Sequence, residues 1–147
     1  MKQTLFIIFA ISVILATVAH ADIWSQCPGN SDPTFSITTL TVTPDPPKIG
    51  QSCVVNLVGT LNDEVTSGSS LFTLYFYIAG GWRKLPSFSN DVCKIVTCPV
   101  QPGPFKFTTT INVPFITPPG QYQGSLILTD QNSRNITCLD FATTLSH

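Results

Sequence analysis

The sequence contains little charge, few of the strongest helix formers and almost no histidine. Only 10% of its 147 residues are charged, against roughly 25% in an average soluble domain. Beyond residue 21 it holds two alanines, Ala79 and Ala142, and a single glutamate, Glu64. Because alanine and glutamate favour helices, their scarcity argues against a helical domain. Seven basic residues balance eight acidic ones without forming a basic cluster, which argues against a nucleic-acid partner.

The shortage of histidine also limits catalysis. His20 and His147 are the only two in the sequence. General acid–base and nucleophilic catalysis most often depend on a histidine inside the folded domain. The single adjacent acidic pair, Asp63-Glu64, is typical of a solvated loop. We therefore expect a protein that is not an enzyme.

Only one long hydrophobic run is present. It extends from Leu5 to Val18 behind Lys2 and is followed by Ala19-His20-Ala21, the small-x-small pattern at which signal peptidase cuts. We therefore predict that residues 1–21 are a secretory signal and that residues 22–147 form one domain. No later run approaches the roughly 18–20 residues of a membrane helix. We expect the destination to be secretion or the endosomal or lysosomal lumen.

The rest of the chain is rich in β-branched and turn-forming residues. Threonine occurs throughout, between clusters of Pro, Gly, Asn and Ser, and this composition favours an all-β domain. Strand-like composition is found at 37–43, 53–61, 71–79, 105–113, 122–129 and 136–141, and more weakly at 82–85. Gly80-Gly81 is predicted to form a hairpin turn. The order and spacing predict an antiparallel β-sandwich.

Apolar side chains alternate along these strands, which assigns one face of each strand to the interior. The inward faces of three strands hold Val55 and Leu57, then Phe72, Leu74 and Phe76, then Tyr122, Leu126 and Leu128. Gly124, between Tyr122 and Leu126, is expected to leave free space on that face. From alternation alone, the simplest interpretation is that these side chains fill an ordinary hydrophobic core.

Five cysteines in a secreted chain predict disulfides and leave one thiol over. For each choice of the odd thiol, the other four permit three pairings. A local bridge between Cys93 and Cys98 is the simplest choice, and Cys27 with Cys138 would then tie the ends of the domain together. Cys53 lies in an apolar alternating strand, where a buried, unreactive thiol is expected. No histidine or second close cysteine pair completes a zinc site, so we expect no metal and no cofactor.

One short motif indicates a modification. Asn135-Ile136-Thr137 matches the acceptor pattern for N-glycosylation. The motif predicts that Asn135 is exposed and glycosylated.

Several motifs in a fixed order resemble those of a known family. They are Lys48-Ile49-Gly50-Gln51-Ser52 opening an apolar strand, Cys98-Pro99-Val100-Gln101 closing the short cysteine loop, Pro118-Pro119-Gly120-Gln121-Tyr122, and the late Cys138. In this order and spacing, the chain resembles the ML lipid-recognition domains, with likeness to the Niemann-Pick type C sterol carriers and the phosphatidylglycerol/phosphatidylinositol transfer proteins. The resemblance covers nearly all of residues 22–147.

This resemblance implies an immunoglobulin-like sandwich of two sheets that holds a lipid between them, and it supports the Cys27–Cys138 and Cys93–Cys98 pairings. Some inward side chains would then line a cavity. The lipid-binding residues expected from alternation and the resemblance are Val55, Leu57, Phe72, Leu74, Phe76, Val113, Tyr122, Leu126 and Leu128. The Tyr122 hydroxyl is expected to reach a head group. The expected cavity rim consists of Trp82, Phe115, Ile116 and Pro118.

The chain departs from the family pattern at one point. Many family members carry a further short-range disulfide before the second strand. Residues 30–51 contain no cysteine, so that bridge is not predicted here.

Two functions of different classes follow from these observations. The first is a secreted or endolysosomal carrier, expected to be a monomer, that binds one phospholipid or sterol non-covalently and contacts membranes transiently to transfer it. The alternative is a secreted immunoglobulin-like interaction module with a filled core, which would bind a protein partner through its surface loops.

Overall fold

The computed structural model describes residues 23–30 and 32–147, so the predicted signal segment lies outside the described residues. The chain forms two antiparallel sheets, as predicted. The strands are β1 (Trp24–Gln26), β2 (Phe35–Thr43), β3 (Ser52–Leu61), β4 (Gly68–Ile78), β5 (Gly81–Lys84), β6 (Phe88–Asp91), β7 (Gly103–Asn112), β8 (Gly120–Asp130) and β9 (Asn135–Leu145). The helical element described is a 3-10 turn at Val92–Lys94. No helix in the described ranges is long and apolar enough to span a membrane.

The larger sheet has the order β1-β9-β8-β4-β5, with β6 pairing beside β5 on the same strand, β4. The smaller sheet has the order β2-β3-β7. β2 lies next to β9 across the sandwich. The opposite side of the sandwich is therefore formed by β7 and by the short strands β5 and β6. We call this side, together with the 3-10 turn and the Cys93–Cys98 loop that follow β6, the mouth edge.

All seven predicted strand segments correspond to observed strands, and the structure adds β1 and β6. Both additions are short strands at the edges of the large sheet, β1 beside β9 and β6 beside β4, so they carry little of the alternation that predicts a strand. A hairpin turn is present one residue before the predicted Gly80-Gly81 pair, since Gly81 already begins β5. Ala79 and Gly80 form its two central positions with φ of 52° and 78°, the left-handed conformation that two-residue hairpin turns require.

A compact hydrophobic cluster closes one end of the sandwich. Phe35, Leu61, Val65 and Ile136 are buried there, and Phe105 packs against Phe35 in an edge-to-face arrangement with ring centroids 6.1 Å apart. Elsewhere between the sheets most inward side chains are only half-buried. Val42, Ile49, Cys53 and Tyr122 are also buried, toward the other end of the sandwich. The half-buried inward side chains therefore lie between two packed ends.

Both predicted disulfides are present. Cys27–Cys138 joins the segment after β1 to β9, and Cys93–Cys98 closes a loop of the mouth edge. Cys53 is free and buried, as predicted. Burial raises the pKa of its thiol, and hydrogen bonds with the backbone at Cys53 and Ile111 offset this only in part. The thiol is therefore protonated and unreactive at neutral pH.

The turn between β8 and β9 is organised by the buried carboxylate of Asp130. It accepts hydrogen bonds from the backbone N–H groups of Asn132 and Arg134 at 2.8 and 3.0 Å, and it pairs with the Arg134 guanidinium at 2.9 Å. Burial alone would raise the pKa of Asp130, but these hydrogen bonds and the arginine charge outweigh it and hold the pKa below that of an ordinary aspartate. Arg134 also reaches the more exposed Asp63 at 3.1 Å.

We predict that the two disulfides contribute unequally to stability. The Cys27–Cys138 bridge closes a separation of 111 residues and the Cys93–Cys98 bridge a separation of 5. In the chain-entropy account, C27S/C138S should lower the free energy of unfolding by about 4–5 kcal/mol and C93S/C98S by about 2 kcal/mol. Urea denaturation of both double variants measures this. Equal losses would contradict the prediction.

We predict that Asp130 stabilises the fold above about pH 4 and that this stability is lost on acidification. Because the folded pKa lies below the unfolded value of about 3.9, the stabilisation is complete above the unfolded pKa and disappears as the pH falls through the folded pKa. Asp130→Asn should lower the free energy of unfolding at pH 7 by about 1–3 kcal/mol. It should also flatten the stability profile below pH 4, measured by urea denaturation.

Asp63→Asn is the matched control, since it removes a half-exposed partner of the same arginine. Exposed pairs contribute only about 0–1 kcal/mol. A loss from Asp63→Asn as large as that from Asp130→Asn would contradict the assignment.

Candidate functional site

A cavity of about 320 Å³ lies between the two sheets. Its lining is almost entirely apolar and comes from both inner faces and from the loop after β6. The small sheet and the segments flanking it contribute Phe35, Leu40, Val55, Leu57, Leu61, Val65, Val100, Phe105, Phe107, Thr109 and Ile111. The large sheet and the loop contribute Trp24, Ser70, Phe72, Asn90, Val92, Ile95, Val96, Leu126, Leu128, Ile136 and Leu139. The inter-sheet space is therefore not filled by side chains.

Polar groups in this cavity are few and uncharged. Three of the lining residues are polar: Ser70, Asn90 and Thr109. The Ser70 hydroxyl donates a hydrogen bond to the backbone carbonyl of Asn90 at 3.3 Å. The indole N–H of Trp24 is buried and finds no acceptor among the described residues. A guest would thus meet an apolar wall with a small number of hydrogen-bonding groups, as in most small-molecule sites.

Five of the nine side chains expected to bind lipid line this cavity. They are Val55, Leu57, Phe72, Leu126 and Leu128. Leu74, Phe76, Val113 and Tyr122 are not among the lining residues of the described structure. Contact of the five with a lipid remains a prediction.

Tyr122 packs and bonds within the protein and is not available to a ligand. It is buried, its ring stacks on Phe76 with centroids 4.8 Å apart, and its hydroxyl donates to the backbone carbonyl of Pro118 at 2.8 Å. Burial raises the pKa of the phenol. With its hydroxyl bonded to the β7–β8 loop, Tyr122 does not present it to a head group in this structure.

Gly124 makes room for a protein side chain and not for a guest. A Cβ at this position would lie 2.7 Å from the Phe141 ring. That ring stacks on Phe72 at a centroid distance of 5.3 Å and also contacts the Trp24 ring at 5.0 Å. The space that the glycine leaves is therefore filled by Phe141, contrary to our expectation from the sequence.

The contribution of the Cys93–Cys98 loop to the cavity wall was not predicted from the sequence. Ile95 and Val96, between the two cysteines, and Val92 and Val100, on either side of them, all line the cavity. The sequence does contain a signal for this contribution. Ile95 and Val96 are apolar, and a loop this short has no core of its own in which to bury them. Trp24 in β1 was missed because a three-residue strand shows no periodicity.

The opening of the cavity lies on the mouth edge. Ile95 and Ile111 line the cavity and yet are 52% and 48% exposed. Ile95 follows the 3-10 turn at the end of β6 and Ile111 lies in β7, so the opening runs between the two sheets.

The expected rim residues are exposed but lie outside the cavity lining. Phe115 and Ile116 are 75% and 90% exposed in the β7–β8 loop that also carries Pro118. Trp82 lies in β5 and packs against Tyr77, with ring centroids 5.2 Å apart. Their participation in a rim remains a prediction.

A second depression of about 490 Å³ lies along the outer face of the large sheet. Polar side chains such as Gln123, Ser125 and Asp140 line it together with Tyr75 and Phe141, so polar and apolar groups are mixed there. It does not offer the almost entirely apolar lining of the inter-sheet cavity. The inter-sheet cavity is therefore the candidate functional site.

Comparison with known proteins agrees with this architecture. The sequence profile of the ML domain matches residues 21–145. A putative phosphatidylglycerol/phosphatidylinositol transfer protein of Dictyostelium discoideum is 51% identical over 139 residues, which cover 95% of this chain and 96% of that protein. A second protein of that name from the same organism is 31% identical over 90% of this chain and 92% of its own length.

Solved structures show the same fold at low sequence identity. A Niemann-Pick type C2 protein from the Japanese carpenter ant superposes with a TM-score of 0.63 at 15% identity, covering 84% of this chain and 98% of that one. Chicken MD-1 complexed with lipid IVa superposes with a TM-score of 0.56 at 19% identity, covering 82% and 86%. Together with the apolar inter-sheet cavity and the profile match, these likenesses show that the chain belongs to the ML domain family.

Proposed function

We propose that this protein is a carrier that binds one lipid non-covalently between its two sheets and transfers it between membranes. The observation that carries the proposal is the apolar inter-sheet cavity with its opening between Ile95 and Ile111. The alternative, an interaction module with a filled core, would have no such cavity. The names of the related transfer proteins support the same function.

Burial of apolar surface is sufficient for affinity at this site. Each methylene group removed from water contributes about 0.8 kcal/mol, so a 16-carbon chain gains roughly 12 kcal/mol before the costs of ordering and association. No lining residue is charged. Binding of this kind makes and breaks no covalent bond, in keeping with the non-enzymatic lipid carriers of the ML family.

The volume of the cavity limits the size of the ligand that it can hold. Its volume of about 320 Å³ lies at the lower end of the roughly 300–1,000 Å³ of small-molecule sites. In this conformation it suits one acyl chain, and a phospholipid with two chains would require the sheets to separate further. We favour phosphatidylglycerol or phosphatidylinositol as the cargo because the related proteins carry those names. A sterol is the alternative cargo.

The setting of this function is the secretory pathway or the endosomal or lysosomal lumen. Two disulfides support an oxidising compartment. We propose that the carrier acts as a monomer that contacts membranes transiently, and that Asn135 carries a glycan. Asn135 is exposed at the start of β9, where a glycan would project away from the mouth edge.

The direct test is a transfer assay. The protein is incubated with donor vesicles containing fluorescent phosphatidylglycerol, phosphatidylinositol or sterol, and with unlabelled acceptor vesicles. Native mass spectrometry of the purified protein identifies any lipid it retains. Binding and transfer of one lipid class are expected, and the absence of both for all three lipids would refute the carrier function.

We predict that Leu126→Trp blocks lipid uptake. Leu126 lines the cavity from β8, and a larger ring at this position occupies the volume that a lipid chain needs. Because the space is empty, the free energy of unfolding should change by less than the roughly 1–3 kcal/mol typical of overpacking. Lipid retention by native mass spectrometry and urea denaturation measure the two effects.

Ile127→Trp is the matched control, since the next side chain along β8 points to the outer face of the large sheet. It should leave lipid uptake unchanged. A destabilised Leu126→Trp variant that still takes up lipid would mean that the site is packed core, with the guest bound elsewhere.

A further inference from the structure

Exposed apolar side chains gather on and beside the mouth edge. In β6 Phe88 is 57% exposed, and its pairing with Phe72 places it on the inner face of the large sheet, beside the cavity. Ile95 and Ile111 line the opening itself. An apolar rim this exposed costs free energy in water unless a partner covers it.

Basic residues also lie in the elements of this edge, with Lys84 and Lys106 on the two outer faces that flank it. The structure describes six lysines and arginines, and four of them lie here: Arg83 and Lys84 in β5, Lys94 in the 3-10 turn, and Lys106 in β7. All four are exposed, and none forms an ion pair with a described residue. The remaining two, Lys48 and Arg134, lie outside these elements.

Acidic side chains lie mostly elsewhere. Of the described carboxylates, Asp91 alone belongs to the elements of the mouth edge. Its carboxylate accepts a hydrogen bond from the backbone N–H of Cys93 at 2.8 Å and so begins the 3-10 turn. The edge therefore carries four cations against one carboxylate in a chain whose formal net charge is −1.

We propose that the mouth edge is a docking surface for an anionic lipid bilayer, an inference that rests on the carrier function proposed above. Phe88, Ile95 and Ile111 enter the interfacial region of the bilayer, and the four cations bind phosphate groups around them. Charge complementarity selects the bilayer as the partner. Continuity of the apolar rim with the cavity lining favours the same choice, because a lipid then passes from membrane to cavity without exposing its chain to water.

The test measures cosedimentation of the protein with vesicles of phosphatidylcholine alone and with vesicles that also contain phosphatidylglycerol. Binding should be stronger to the anionic vesicles and should weaken as salt is added, since salt screens exposed charges. Each basic residue near an anionic surface contributes about fivefold to partitioning. Lys84→Gln with Lys94→Gln should therefore lower the partition coefficient roughly 25-fold.

Matched controls separate local from general effects. Gln26→Glu with Thr41→Glu changes the net charge by the same amount on exposed positions of β1 and β2, away from the mouth edge, and should lower partitioning much less. For the apolar rim, Phe88→Ser should weaken partitioning to both kinds of vesicle. Leu71→Ser, on the outer face of the neighbouring β4, should not.

The outcomes distinguish this proposal from the carrier function. If native mass spectrometry finds bound lipid but the two charge variants partition alike, or anionic and neutral vesicles bind equally, the docking surface is refuted and the carrier stands. If no lipid is bound by any variant, the carrier function itself fails. Concentration-dependent dimers in light scattering, lost on Phe88→Ser, would assign the rim to a second copy of the chain and also overturn the proposal.

Discussion

The fold depends on one constraint, which is how closely the two sheets can approach. Sheets in a sandwich pack about 10 Å apart when their inner side chains interdigitate. Here the inner side chains are buried around Phe35, Leu61, Val65 and Ile136 at one end, and around Val42, Cys53 and Tyr122 at the other. Toward the mouth edge the facing rows remain half-exposed, and the volume between them stays open. The packed ends provide the core, while the open side provides the cavity.

The sequence predicts the fold and part of the site for the same physical reason. Alternation of apolar residues along a strand predicts which face each side chain occupies. The side chains placed correctly on the inner faces in this way are Val55, Leu57, Phe72, Leu126 and Leu128. Alternation does not state how far along the sandwich the cavity extends. That boundary is set by contacts between distant segments, which no local pattern contains.

Two contacts show how such a boundary arises. Phe141 from β9 occupies the space over Gly124, and the hydroxyl of Tyr122 bonds to Pro118. Both interactions pack side chains into the region around Phe76 and Leu74, so these residues lie outside the cavity lining. On the other side, the Cys93–Cys98 loop supplies Ile95 and Val96 to the cavity wall. The spacing of the two cysteines predicts a short loop, but it does not predict that the loop folds over the cavity.

The distribution of charge over the surface also could not be predicted from composition, because a nearly neutral chain can carry a locally cationic edge. The basic residues of the mouth edge are spread from position 83 to position 106 and form no cluster in the sequence. They come to the same side of the sandwich because β5 and β6 pair on the outside of β4 while β7 ends the facing sheet. The long Cys27–Cys138 bridge lies on the opposite side, where β1 pairs with β9. Because β1 and β9 belong to the same sheet, this bridge does not tie the two sheets together, and side-chain packing holds them at their present distance.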